Sequence, residues 1–161
     1  MENNNEIAVF GGGCFWCTEA VFLEIKGVKA VASGYSGGHV ADPNYYQVCE
    51  ETTGHAEVVR IEFDPSEISF KEMLEVFFAS HDPTTLNYQG ADRGARYRSV
   101  VLHTTDAQRD ETAEYIKELD AEGSQPGPVV TEISPFEVFY ESEPEHRQFS
   151  QNNPGSMYCQ V

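Results

Sequence analysis

Three consecutive glycines, Gly11-Gly12-Gly13, separate a strand-like run, Ile7-Ala8-Val9-Phe10, from a helix-compatible stretch over 14–25. A strand that meets three glycines stops there, and the chain gains the freedom to turn sharply, so the segment reads as strand, tight turn, helix. Cys14 then stands where the helix begins, beside backbone N–H groups with no partner inside the helix and at the positive end of its dipole. Such a place favours a thiolate over a thiol. Phe15 and Trp16 follow at once and Cys17 lies three positions on. The segment reads as a reactive cysteine beside an apolar pocket.

The rest of the chain alternates strands and helices. Residues 28–35 form a second strand that runs into Gly34-Tyr35-Ser36-Gly37-Gly38. The clearest strand is 56–64, where Glu57, Val59, Ile61 and Phe63 share one face and Arg60 and Glu62 the other. Ser69 with Glu72 makes a capping box for a helix whose Phe70, Met73, Leu74 and Phe77 share a face. A loop over 81–96, longer than most connections and therefore a candidate carrier of function, precedes a strand at 97–103. Thr105 with Gln108 caps a further helix with Ala113, Ile116 and Leu119 on its inner stripe, and 129–133 and 136–140 read as paired strands. The pattern predicts an α+β fold: a two-layer sandwich of helices on a mixed, mostly antiparallel sheet, with a ferredoxin-like core.

With 161 residues, 40% hydrophobic and 12% aromatic, the chain is expected to form one domain over 1–161, its tail at 141–161 irregular. No apolar run approaches the roughly 18 residues of a membrane span. The start, Met1-Glu2-Asn3-Asn4-Asn5-Glu6, is acidic and polar where a signal peptide is basic, so a cytoplasmic protein is expected. A net charge of −17 argues against nucleic acid or anionic lipid as partners. Four cysteines in that compartment suggest redox chemistry or metal binding before structural disulfides. Cys14 and Cys17 lack a second close pair, and His55, His81 and His146 are not spaced as ligands, so no metal is expected. The glycines form no phosphate loop, since no Lys-Ser/Thr follows them. Cys49 reads as a small buried hydrophobe and Tyr46 as packing or surface.

Glu57 is the second reactive candidate. Its phase turns the carboxyl inward beside apolar residues, where it keeps a proton to higher pH and can act as a general acid.

The motifs together resemble one family. Gly13-Cys14-Phe15-Trp16, Gly34-Tyr35-Ser36-Gly37-Gly38, Pro43-Asn44-Tyr45, Val48-Cys49, Thr53-Gly54-His55-Ala56-Glu57-Val58, His81-Asp82-Pro83-Thr84, Gln89-Gly90-Ala91-Asp92, Tyr97-Arg98-Ser99 and Asn153-Pro154 with Tyr158-Cys159 are similar, in order, to the peptide methionine sulfoxide reductases of the A type. The resemblance implies reduction of methionine sulfoxide, of the S epimer, free or in proteins, through a cysteine sulfenic acid. It implies Cys14 as nucleophile and Glu57 as proton donor. Tyr45 and Tyr97 become hydroxyl donors to the sulfoxide oxygen, Asp92 the carboxylate that fixes a water or orients this group, and Phe15 and Trp16 the walls that receive the S-methyl group. It further implies a monomer with no cofactor, recycled by thioredoxin. His146 matches a histidine of the family, but Glu145 and Arg147 depart from its usual neighbours.

Two thiols compete to resolve the sulfenic acid. Cys17 lies one helical turn from Cys14, and Cys159 matches the family's usual resolving position near the C-terminus. We expect Cys159 to form the disulfide that thioredoxin reduces, directly with Cys14 or through Cys17. A thiol–disulfide oxidoreductase built on Cys14-Phe15-Trp16-Cys17 lacks the usual Gly-Pro between its cysteines, and a non-catalytic binder of oxidised peptides would not need Cys14, Tyr45, Glu57, Asp92 and Tyr97 together.

Overall fold

In the computed structural model, which describes residues 5–49, 51, 53–89, 92–123 and 125–142, strand β1 (Glu6–Gly11) runs through the glycines into helix α1 (Phe15–Leu23). Then come β2 (Val28–Ser36), α2 (Tyr45–Cys49), β3 (Ala56–Phe63) and α3 (Phe70–Ala79). The long loop contains a small hairpin, β4 (Tyr88–Gln89) with β5 (Asp92–Arg93), and a 3-10 turn at Ala95–Tyr97. The chain continues through β6 (Val100–His103), α4 (Asp106–Glu122), β7 (Glu132–Pro135) and β8 (Phe139–Glu141). None of the helices among the described residues is long and apolar enough to cross a membrane.

Six strands form one sheet in the order β7-β6-β1-β3-β2-β8. Every pairing is antiparallel except β6 with β7. The alternation seen in β3 divides its two faces as expected. Val59, Ile61 and Phe63 join Phe10, Phe22 and Phe77 in the larger core under the helices, while Ala56 and Val58 pack with Val9, Val100 and Leu102 on the other face. Phe10 stacks on Phe77 of α3 with ring centroids 4.7 Å apart. Each such buried ring contributes about 1.5–3 kcal/mol. The α3 capping box is present in both directions, Ser69 with Glu72.

Three expectations need correction. First, the segments read as a pair at 129–133 and 136–140 do not pair with each other: β7 lies parallel to β6 on one edge, and β8 antiparallel to β2 on the other. Only residues 136–138 join them, a span of about 14 Å at most, whereas six flat strands would set the edges about 24 Å apart. The sheet therefore curls until its two edges approach, and β7 and β8 each take the nearer free edge. Second, 97–99 are not strand, because Ala95–Tyr97 makes a 3-10 turn and Tyr97 N–H donates to the Gly94 carbonyl (3.0 Å). Third, α4 buries Gln108 and Thr112 together with Leu119. These polar side chains are tolerated because the backbone satisfies them: Gln108 donates to the Ile7 carbonyl (2.8 Å) and Thr112 to the Gln108 carbonyl (2.7 Å).

Candidate active site

The glycine turn is where sheet, helix and loop meet. Gly13 has φ +90°, a conformation open to glycine and costly for other residues, and its N–H donates to the Tyr97 carbonyl (3.2 Å). A Cβ on Gly12 would lie 2.8 Å from the His81 ring, so the turn is also too tight for a side chain there. The turn delivers Cys14 to the N-cap of α1, buried with 7% of its surface exposed.

The first N–H of the helix, that of Phe15, donates to Glu57 Oε1 (3.2 Å). Residues 42 positions apart are joined by this bond, which brings the carboxyl to the end of the helix that carries the thiol. Glu57 is 2% exposed and lies opposite Tyr35 in the β2–β3 register. Burial favours its neutral form, while the Phe15 N–H favours the carboxylate.

Two tyrosines flank this pair. Tyr97 is buried at the end of the 3-10 turn, and Tyr45, half-buried, opens α2. The Tyr45 phenol is pushed well above its ordinary pKa by burial, by a hydrogen bond with Cys49, and by the charges of Cys49, Glu57 and Tyr97. It therefore stays a hydroxyl at neutral pH, able to donate. Cys14, Glu57, Tyr45 and Tyr97 thus converge from α1, β3, α2 and the 3-10 turn.

The remaining expected residues divide. Phe15 is 1% exposed and packs in the core against Tyr35 (5.6 Å between centroids), whereas its neighbour Trp16 is only half-buried. Asp92 lies in β5, paired with Gln89, but its side chain is outside the described part of the molecule. Cys159 and His146 lie outside the described residues. Cys14 and Cys49 are outside any disulfide, whereas Cys17 is in one. Tyr46 is 78% exposed, a surface residue. Among the described residues no group of three or more His, Cys, Asp and Glu could hold a metal ion. His55 is a buried brace, accepting from Gly38 N–H (3.0 Å) and donating to the Val40 carbonyl (2.7 Å).

The sequence reading missed two contributors. Cys49 is not merely a small hydrophobe, since it hydrogen-bonds Tyr45 one helical turn before it. Arg96 lies at the rim of the same cluster: its guanidinium Cζ is 4.4 Å from the Tyr97 ring centroid, and its Nε is 3.8 Å from Glu57 Oε2. An arginine in a polar loop reads as solvated, and no periodicity marks it. The one available signal is its place directly before Tyr97.

A family model described as peptide methionine sulfoxide reductase matches residues 6–161. The peptide methionine sulfoxide reductase MsrA of Saccharolobus solfataricus is 53% identical over 156 residues, covering 97% of this chain and 87% of that protein. Among solved structures, reduced Mxr1 from Saccharomyces cerevisiae is similar with a TM-score of 0.89 at 30% identity, over 97% of this chain and 90% of that one. Methionine sulfoxide reductase A of Corynebacterium diphtheriae is similar with a TM-score of 0.87 at 32% identity, over 99% and 79%. The yeast Mxr1 has also been solved in complex with Trx2, a likeness of fold at 23% identity, TM-score 0.62 and coverage of 92% and 88%.

Proposed function

The chain belongs to the peptide methionine sulfoxide reductase family, and on that premise we propose which of its own residues carry the reaction and how. The enzyme reduces methionine sulfoxide to methionine. In the proposed cycle Cys14 attacks the sulfoxide sulfur as a thiolate, and Glu57 gives the departing oxygen a proton. Methionine sulfur gains two electrons and Cys14 sulfur loses two, so the oxygen ends on Cys14 as a sulfenic acid. Tyr45 and Tyr97 donate hydrogen bonds to the oxygen as charge builds on it, with Asp92 fixing a water or orienting them. Trp16, with Phe15 behind it, receives the S-methyl group. The single observation that carries this reading is the Phe15 N–H to Glu57 bond, which unites a buried carboxyl with the helix start that holds the thiol.

Recycling follows by thiol chemistry. Cys17 condenses with the sulfenic acid, releasing water, and Cys159 then takes the disulfide over from Cys14, so that thioredoxin reduces a bond between Cys17 and Cys159. Support comes from the state of the thiols: Cys17 is in a disulfide, whereas Cys14 and Cys49 are not. The complex of the yeast relative with Trx2 supports the choice of reductant. The same reading takes the enzyme as a cytoplasmic monomer of one domain over 1–161, specific for the S epimer and without a bound cofactor. It takes the β1-α1-β2-β3-α3-β6 run as a ferredoxin-like core in a two-layer sandwich, for which the order β6-β1-β3-β2 is the support.

One measurement tests the assignment of thiols. Mass mapping after a single turnover without reductant is expected to find Cys17 bonded to Cys159. Cys14→Ser is expected to fold and to reduce no sulfoxide, and turnover within tenfold of the parent enzyme would remove Cys14 from its role.

A further inference from the structure

Arg96 is held inward by partners from other parts of the chain. Its Nη1 donates to the Cys49 carbonyl (2.7 Å) and to Glu51 Oε1 (3.0 Å), and its backbone N–H to Glu51 Oε2 (3.3 Å). The guanidinium lies over the Tyr97 ring. Burial disfavours the cation, yet its hydrogen bond with Tyr97 and the charges of Tyr97, Cys49 and Glu51 more than offset that, and it stays charged. Its Nε is buried, makes no hydrogen bond among the described residues, and faces Glu57 Oε2 at 3.8 Å. That distance lies outside hydrogen bonding and inside strong Coulombic range. A bidentate pair would lock the carboxylate; this offset cation pulls on it and leaves the oxygen open to a proton.

We propose that Arg96 is a positioning residue for the proton carrier: its tethered guanidinium keeps Glu57 a carboxylate in the resting enzyme, so that Glu57 takes the Cys14 thiol proton before giving it to the departing oxygen. This rests on the reading of Glu57 as the acid. In the first transfer the S–H bond of Cys14 breaks and an O–H bond forms on Glu57; in the second that O–H bond breaks as the sulfoxide oxygen is protonated, and the carboxylate facing Arg96 is restored. Other titratable groups around Glu57 are Tyr35 from β2, Tyr45 and Cys49 from α2, Glu51 beyond it, Tyr97 from the 3-10 turn and Cys14 at the start of α1. Any charge these groups carry is negative and favours the neutral acid, so the cation opposing them is Arg96.

The test is a carboxyl titration of the full chain by carbon NMR with labelled glutamate, Glu57 being assigned by its loss in Glu57→Gln. Arg96→Gln and Arg96→Met remove the charge, and whichever folds serves; Glu57 is expected to titrate about one to two pH units higher. The pH range of single-turnover sulfoxide reduction is expected to rise with it. Arg96→Lys keeps a charge and is expected to restore part of the difference. If Arg96 only braces the loop, all three variants lose stability while Glu57 titrates where it does in the parent, and that result overturns the proposal. A Glu57→Gln enzyme as fast as the parent would instead overturn the acid assignment, whatever Arg96 does to the titration.

Discussion

The glycine turn has two neighbours of opposite character. On one side His81 is wedged between Gly12 and α3, its Nδ1–H donating to the Phe77 carbonyl (2.7 Å) and its Nε2 accepting from the Ser99 hydroxyl (2.8 Å), which Thr131 hydrogen-bonds in turn (2.7 Å). On the other side Glu57, at least as deeply buried, meets a helix N–H and faces a guanidinium. Burial holds His81 neutral and lowers its pKa to about 4, the Phe77 and Asp82 contributions being too weak to restore it. Neutral partners make the histidine a brace. Partners that favour charge, set against burial that opposes it, are what the proton-carrying role proposed for the glutamate requires. What separates scaffold from chemistry here is the kind of partner, since burial is common to both.

The sharpest way to break that contrast is Glu57→Gln. The amide keeps size and can accept from Phe15 N–H, but it has no proton to pass on. General acid catalysis contributes about 10²–10⁴-fold, so the single-turnover rate is expected to fall by that order with little change in unfolding midpoint. A rate within fivefold of the parent across pH 6–9 would mean that the oxygen is protonated from elsewhere.

On the other side of the turn, the effect should appear in stability and leave the chemistry alone. His81 has an unfolded pKa of 6.5 and a folded one of about 4, so between these values the unfolded chain binds more protons. The contribution is full above pH 6.5 and is lost as pH falls toward 4, reaching about 3 kcal/mol at the end of that window. His81→Asn can still donate to the Phe77 carbonyl and does not titrate. Its unfolding free energy, lower overall, is expected to fall less steeply than the parent's between pH 7 and 4. Parallel slopes in urea melts would show that other groups carry the acid sensitivity.

The same contrast explains what could be read in advance. Cys14 and Glu57 were legible because local rules place them: glycines end β1, and the two-residue period of β3 turns Glu57 inward. The capping box and the apolar face of α3 are equally local. Arg96 is held from Cys49 and Glu51, 47 and 45 positions away, through a loop with no period, and only the folded chain reveals it. The edges of the sheet fail for a related reason. Whether β8 pairs with β7 or with β2 depends on how far six strands curl, a sum over the whole sheet that neither segment encodes alone. Gln108 and Thr112 fall outside the stripe read for α4, because a hydrophobic stripe takes no account of polar side chains satisfied by a nearby carbonyl.

The smallest expected effect compares two adjacent aromatics. Phe15 is fully within the core against Tyr35, so Phe15→Ala is expected to cost about 3–5 kcal/mol of stability, as buried rings do. Trp16 is half-buried beside it, their centroids 6.4 Å apart, and keeps surface for a substrate. If it forms the wall against the S-methyl group, Trp16→Ala forfeits the burial of about one methyl, worth about 1 kcal/mol or roughly fivefold in kcat/KM. The opened pocket also accommodates a larger group. Preference for methionine sulfoxide over its S-ethyl analogue, ethionine sulfoxide, should therefore fall by about that factor while the unfolding midpoint moves less than in Phe15→Ala. Equal losses on both substrates would place Trp16 with Phe15 in the scaffold and leave the methyl wall to be found elsewhere around Cys14.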